Sequence, residues 1–338
     1  MTVIRRLALY AALPLVLVAV AGYGWYQFSD TGKRWRYEDA LAGYCQGLIP
    51  AEESAVLTGY DTDAGLPLDY RDGGPGGYEF CKVGRHTLVI AEIPADARDD
   101  DGRPGVFDRL RPSPTGTLPL PLGGGWHGYT NRVSAAVVLT CAGRESSVVV
   151  GSQTGGDTVA GSAVARLLTA TAERAADRWD CDAQTGGATP DDYPEPQEKS
   201  RFEAEGTCAG LPLRDRDDID WIRETTAAPG TAPLESCVLG AARDAESRPE
   251  LFGLTASFGP FAQAVAPLGD GADPEAGRLG DLLWGTAACP GDGARARFTL
   301  DPASPAGEGD DAFARAALAA FAERAAKQHG CTGLRLPD

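Results

Sequence analysis

Eight cysteines and three histidines are the side chains here that can hold a metal, attack a carbonyl or staple a fold, and their spacing decides among these uses. The cysteines are Cys45, Cys81, Cys141 and Cys181, then Cys208, Cys237, Cys289 and Cys331. A zinc site draws its Cys and His ligands from closely spaced pairs, and neither CxxC nor HxxxH occurs. His86 opens an expected strand and His329 ends an expected helix, where a polar tip suits the last carbonyls. An even cysteine count points to disulfides and hence to an oxidising compartment, which leaves no thiol for nucleophilic catalysis. None of the four lysines (Lys33, Lys82, Lys199, Lys327) follows a serine by three residues. Gly151–Gly155 reads GSQTG, not Gly-x-Ser-x-Gly, and no Gly-rich loop ends in Gly-Lys-Ser/Thr. No catalytic residue, metal ligand or cofactor is implied, and binding is expected ahead of catalysis.

Two loops hold residues of binding type. DARDDDGRPGVFD (Asp96 to Asp108) places Asp99, Asp101, Gly102 and Asp108 at positions of a calcium loop, but Ala97 stands where the first ligand belongs. It reads as a solvated acidic loop. In PLPLGGGWHGYT (Pro119 to Thr130), glycines free the backbone around Trp126, His127 and Tyr129. Such aromatics either bind a sugar or peptide or fold back over the core. These three are the candidate ligand residues. Unit two, defined below, has an acidic stretch at Gly269 to Gly280 instead, so the loop is not duplicated.

The elements that must position these residues follow from the bulk sequence. At 338 residues the chain is long enough for two domains. Its formal charge of −17 excludes nucleic acid as a partner, because phosphate binding needs a basic face. Residues 1–36 carry +4, from Arg5, Arg6, Lys33, Arg34 and Arg36 against Asp30, so the remainder carries −21. Arg5 to Phe28 contains an uncharged run from Leu7, about 33 Å long as a helix, that ends in the aromatics Tyr23, Trp25, Tyr26 and Phe28. This predicts a transmembrane anchor at 7–28 in contact with the lipid bilayer. A cytoplasmic tail at 1–6 would precede it and a stalk at 29–43 would follow. The alternative is a signal peptide cleaved near Ala21, after Ala19-Val20-Ala21.

The cysteines then divide the chain. Their gaps are 36, 60 and 40 in the first set and 29, 52 and 42 in the second. Cys45-Gln46-Gly47-Leu48 matches Cys208-Ala209-Gly210-Leu211, and Glu79-Phe80-Cys81 matches Glu235-Ser236-Cys237. Cys141-Ala142-Gly143 matches Cys289-Pro290-Gly291, and AERAA precedes both Cys181 and Cys331. Four matches in one order predict a tandem duplication, with units at 44–181 and 208–338 and a Pro-, Gly- and acid-rich linker at 182–207. Each unit reads as α+β: an antiparallel sheet of about four strands, a short N-terminal helix and a long C-terminal one, with helices on one face. Strands are expected at Tyr78 to Gly84, His86 to Ile93, Arg132 to Cys141 and Ser146 to Gly151. In unit two they are expected at Leu251 to Phe258, Asp281 to Cys289 and Ala294 to Leu300. Val164, Leu168, Thr171, Ala175 and Trp179 form one helical face, and Phe313, Ala317 and Phe321 another. Four cysteines per unit allow three pairings. A hairpin followed by a returning helix favours Cys141 with Cys181 and Cys289 with Cys331, leaving Cys45 with Cys81 and Cys208 with Cys237.

Cys45-Gln46-Gly47-Leu48-Ile49-Pro50-Ala51-Glu52 resembles the opening of small actinobacterial cell-envelope domains. Those begin Cys-x-x-Leu-x-Pro-x-Glu, reach a second cysteine in a strand, and close with an alanine-rich helix and a cysteine. The resemblance covers each unit loosely; in unit two Leu213 replaces the proline-acid helix start, and no lipid-anchoring cysteine is present. It implies a secreted or anchored, two-disulfide, sensor-like domain. The expected function is an extracytoplasmic binding or scaffolding protein acting on an unknown envelope protein or a small ligand. A carboxylate hydrolase, or a sensory subunit working through a membrane partner, is the alternative.

Overall fold

The computed structural model describes residues 2–338 other than 72–76, 96, 98–103, 113–116, 155–160, 226–231, 242–248, 266–274, 291–294 and 304–309; the side chains of residues 2–13, 104 and 105 are likewise left aside. The chain opens with helices α1 (Thr2–Phe28) and α2 (Asp30–Gly43). Ser29 separates them, its hydroxyl accepting from the Gly32 N–H, while Arg36 donates back to the Tyr26 and Gln27 carbonyls left over at the end of α1. The expected anchor is corrected here. Among the described residues no helix is long and apolar enough to cross a membrane. The segment expected as a stalk is α2, whose Tyr37 and Leu41 are buried in the first core.

Unit one contains α3 (Ala51–Thr58), β1 (Asp69–Arg71), β2 (Tyr78–Val83), β3 (His86–Pro94), α4 (Pro104–Leu110), β4 (Leu120–Pro121), β5 (Gly128–Thr130), β6 (Ser134–Thr140), β7 (Ser146–Thr154) and α5 (Gly161–Arg178). Its strands form one antiparallel sheet in the order β1-β2-β3-β7-β6-β5-β4. Unit two contains β8 (Lys199–Ser200), β9 (Trp221–Glu224), β10 (Leu234–Gly240), β11 (Glu250–Ser257), α6 (Pro260–Gln263), β12 (Gly277–Leu279), β13 (Leu282–Ala288), β14 (Ala296–Pro302), α7 (Asp311–Gln328) and β15 (Thr332–Arg335). Its sheet runs β12-β13-β14-β11-β10-β9-β8, with β15 added on β13. The order β1-β2-β3-β7-β6-β5 thus maps onto β9-β10-β11-β14-β13-β12.

The expected layout of four strands and two helices per unit is not what forms. Among the described residues the sheets have seven and eight strands, and unit two has no helix between Cys208 and β9. The additional edge strands are two to four residues long, too short to show a period of two. β10 escapes for another reason: all seven of its residues are buried, so it does not alternate, and Glu235 and Ser236 break the apolar run that marks β6. Nor do helices keep to one face in unit one. Helix α5 covers one side with Leu167, Leu168, Ala172 and Ala175, whereas Val106, Phe107 and Leu110 of α4 cover the other.

Four disulfides are present, Cys45–Cys81, Cys141–Cys181, Cys208–Cys237 and Cys289–Cys331, and no cysteine is free. They indicate an oxidising, extracytoplasmic or secreted setting. The two AERAA helices end alike, the Cys181 N–H bonding to the Ala176 carbonyl at 2.9 Å and the Cys331 N–H to that of Ala326 at 2.8 Å. The arginine of the motif has diverged. Arg174 is exposed and donates to the Gly47 and Ile49 carbonyls. Arg324 is mostly buried and pairs with Glu235 at 2.9 Å, whose other oxygen meets His329 Nε2 at 2.9 Å. Burial alone would raise the Glu235 carboxyl; the His329 hydrogen bond and the Arg324 charge outweigh it and hold it below the usual range. Arg324→Ala should therefore cost about 3–5 kcal/mol, because a buried carboxylate loses its cation. Arg174→Ala should cost about 1 kcal/mol, the worth of bonds to two carbonyls. Urea unfolding of both variants measures the difference, and equal losses would reject this division of roles.

Candidate functional site

Gly123, Gly124 and Gly125 all have left-handed backbones, with φ of 71°, 61° and 84°. Three such residues in a row turn the chain from β4 back into β5 and bring Trp126 down onto the first core, where it is 6% exposed. The turn receives a second segment. Residues 182–198 have no helix or strand, yet they run along unit one as a strap. The Gly187 N–H bonds to the Gly124 carbonyl at 2.7 Å, and the Trp126 indole N–H bonds to the Gly187 carbonyl at 2.7 Å. Glycine is required on both sides. A Cβ at Gly124 would lie 2.5 Å from the Ala188 oxygen, and one at Gly186 would lie 2.6 Å from the Trp126 ring. The Tyr193 hydroxyl then donates to the Leu122 carbonyl at 2.8 Å, and Glu195 pairs with Arg132 at 3.0 Å.

The strap ends in β8, an edge of the second sheet, and between it, the Gly-Trp loop and that edge lies a cleft of about 830 Å³. Pro121, Trp126, His127, Tyr193, Lys199 and Glu224 are among its walls. Lys199 pairs with Glu224 at 3.2 Å. Glu224 is buried and also accepts the main-chain N–H groups of Glu205, Gly206 and Cys208 at 2.8–3.1 Å, so it is a fixed anion in a nest of donors. A volume of this size with apolar walls and a few fixed polar groups suits a small molecule or a short peptide.

Of the three candidate ligand residues, Trp126 and His127 reach the cleft and Tyr129 does not. Tyr129 is 1% exposed and packs edge-on against Phe261 of α6, 5.7 Å between ring centres, so it joins the two units. His127 meets the same Phe261 edge-on at 5.8 Å. Around them Leu234, Phe261 and Ala264 of unit two form one core cluster with Val89, Ile93 and Val138 on the outer face of the first sheet. Gln263 donates to the Ala95 carbonyl at 2.5 Å and Arg111 to that of Ala264 at 2.5 Å. The units are therefore packed together, and the cleft opens beside their joint.

Other candidates fall elsewhere. Residues 98–103 of the acidic loop lie outside the described residues; Asp108 pairs with Arg111 at 3.6 Å. Among the described residues no group of three or more His, Cys, Asp or Glu could hold a metal. Glu79, whose carboxyl is raised by burial against the Arg71 charge, lies in strand β2 and not on the cleft. Sequence reasoning missed Lys199, Glu224 and the strap, because acidic, proline-rich composition describes a bound strap and a free linker equally well. The one available signal was the opposition of two glycine runs, Gly123-Gly124-Gly125 and Gly186-Gly187, which allows two backbones to touch. No protein family, curated protein or solved structure matches this chain.

Burial pushes the imidazoles of His86 and His127 down to about 4, His127 with help from the nearby His329. The unfolded chain takes up those protons near pH 6.5 and the folded one does not until about pH 4. Stability should thus be full above about pH 6.5 and fall as pH drops toward 4, by on the order of 3 kcal/mol for His86 alone. Unfolding free energies measured across this range check it, and a flat profile would contradict the neutral histidines. Gly186→Ala should free the strap without disturbing either sheet. Hydrogen exchange across 182–198 should then rise roughly tenfold or more, and unchanged protection would refute the clamp.

Proposed function

We propose that this protein is an extracytoplasmic binding protein whose ligand, a small molecule or a segment of another envelope protein, occupies the cleft between its two units. The observation that carries this reading is the cleft of about 830 Å³ walled by three parts of the chain at once: the Gly-Trp loop, the strap and the edge of the second sheet. The four disulfides favour the same compartment. So does the strong negative charge, which keeps a secreted chain soluble by self-repulsion.

Gln197 lines the cleft, is exposed, and its side chain donates only to the nearby Glu195 carbonyl, so Gln197→Trp fills the space without touching the core. Titration with the neutral apolar dye Nile red tests the reading. Wild type should show a saturable component that Gln197→Trp weakens by roughly tenfold, about 1.4 kcal/mol. Dye taken up by the exposed apolar side chains of α1 is common to both proteins. Identical titrations would exclude the cleft as a site.

A further inference from the structure

Half of the cleft wall is itself a bound peptide. Residues 186–193 lie across the Gly-Trp loop, which reads them largely through their main chain: the Gly124 carbonyl takes the Gly187 N–H, and the Trp126 indole donates to the Gly187 carbonyl. Pro190 rests on Gly123, its ring atoms 3.0 Å from where a Cβ would stand. An indole donor aimed at a carbonyl, beside space opened for a pyrrolidine, is how protein grooves recognise extended proline-bearing chains.

The unfilled side of the cleft offers the same chemistry. Pro121, Pro194, Pro196 and Tyr193 supply its apolar walls. Strands β4 and β8, each the last strand of its sheet, both contribute to its walls, so a chain laid in it meets strand edges of both sheets. Of the carboxylates facing the cleft, Glu224 is paired with Lys199 and Glu195 with Arg132, so Asp192 and the whole-chain charge of −17 set the sign of the field there. A cationic segment is drawn in by that field and an anionic one is repelled. On the strength of the cleft reading, we propose that the occupant is an extended, proline-containing segment of another polypeptide carrying a lysine or arginine, seated beside the strap between β4 and β8.

The probe is a fluorescein-labelled peptide, Ala-Pro-Pro-Arg-Pro-Thr-Pro-Ala, titrated onto the full chain by anisotropy. Saturable binding is expected, weakened roughly tenfold by Gln197→Trp in the protein. Glutamate in place of the peptide's arginine, or NaCl raised from about 50 to about 500 mM, should weaken it severalfold. Alanine in place of the prolines should abolish it. Equal binding of the all-alanine peptide, or binding that ignores Gln197→Trp, would overturn the proposal. If the peptide fails to bind while Nile red keeps its Gln197→Trp-sensitive component, the ligand class is wrong and the cleft stands. If neither probe responds to the substitution, both fall.

Discussion

Each unit is held by a carboxylate that receives the main-chain N–H of its first cysteine. In unit one Asp69 Oδ2 accepts from Cys45 at 2.9 Å; in unit two Glu224 Oε2 accepts from Cys208 at 3.1 Å. The strand pairs place Asp69 opposite Cys81 and Glu224 opposite Cys237. The carboxylate and the disulfide therefore act at one point, tying the entry segment to the short strand and its neighbour together. A disulfide alone limits how far the entry segment can wander in the unfolded chain. The charge-assisted bond adds an orientation, because it is made only when the segment meets the sheet with its N–H inward. With that edge settled, the long helix has a finished surface to cover, and the second disulfide closes over it.

This constraint was only half legible in the sequence. The cysteines marked the duplication because their order and neighbours survive in both units. The carboxylates did not, since one is Asp and the other Glu, and they follow their cysteines by 24 and 16 residues. Only strand register shows that they are equivalent. Strand β2, which alternates, could be read from the pattern, while the uniformly buried β10 could not. AERAA is also more than a packing face. Its alanines lie against the sheet in both helices, and its arginine reaches off the helix to different partners in each.

The two units have diverged most at the end of the long helix. Glu79 and Glu235 both stand two residues before the second cysteine and both are buried. Burial raises the Glu79 carboxyl, whereas His329 and Arg324 hold that of Glu235 down. His329 occupies the place that Trp179 takes in unit one, two residues before the final cysteine. It stacks on Phe258 beside the joint where Phe261 meets His127 and Tyr129. The charged cluster of unit two thus sits behind the interface, which gives a physical reason why this copy, and not the other, acquired a histidine there.

What shapes the cleft is not duplicated. The Gly-Trp loop and the strap have no matching parts in the other copy among the described residues, whereas α6, which follows β11 as α4 follows β3, meets α4 in the joint. A repeated fold supplies two rigid sheets with finished edges. One sheet edge at β4 and the other at β8 then become walls only because the strap holds them at a fixed separation. The Trp126 indole bonding to the Gly187 carbonyl is therefore a structural contact, although nothing in its composition marks it so. The same bond leaves the remaining cleft with walls suited to a main chain like the one already bound, so the architecture and the proposed ligand class follow from a single contact.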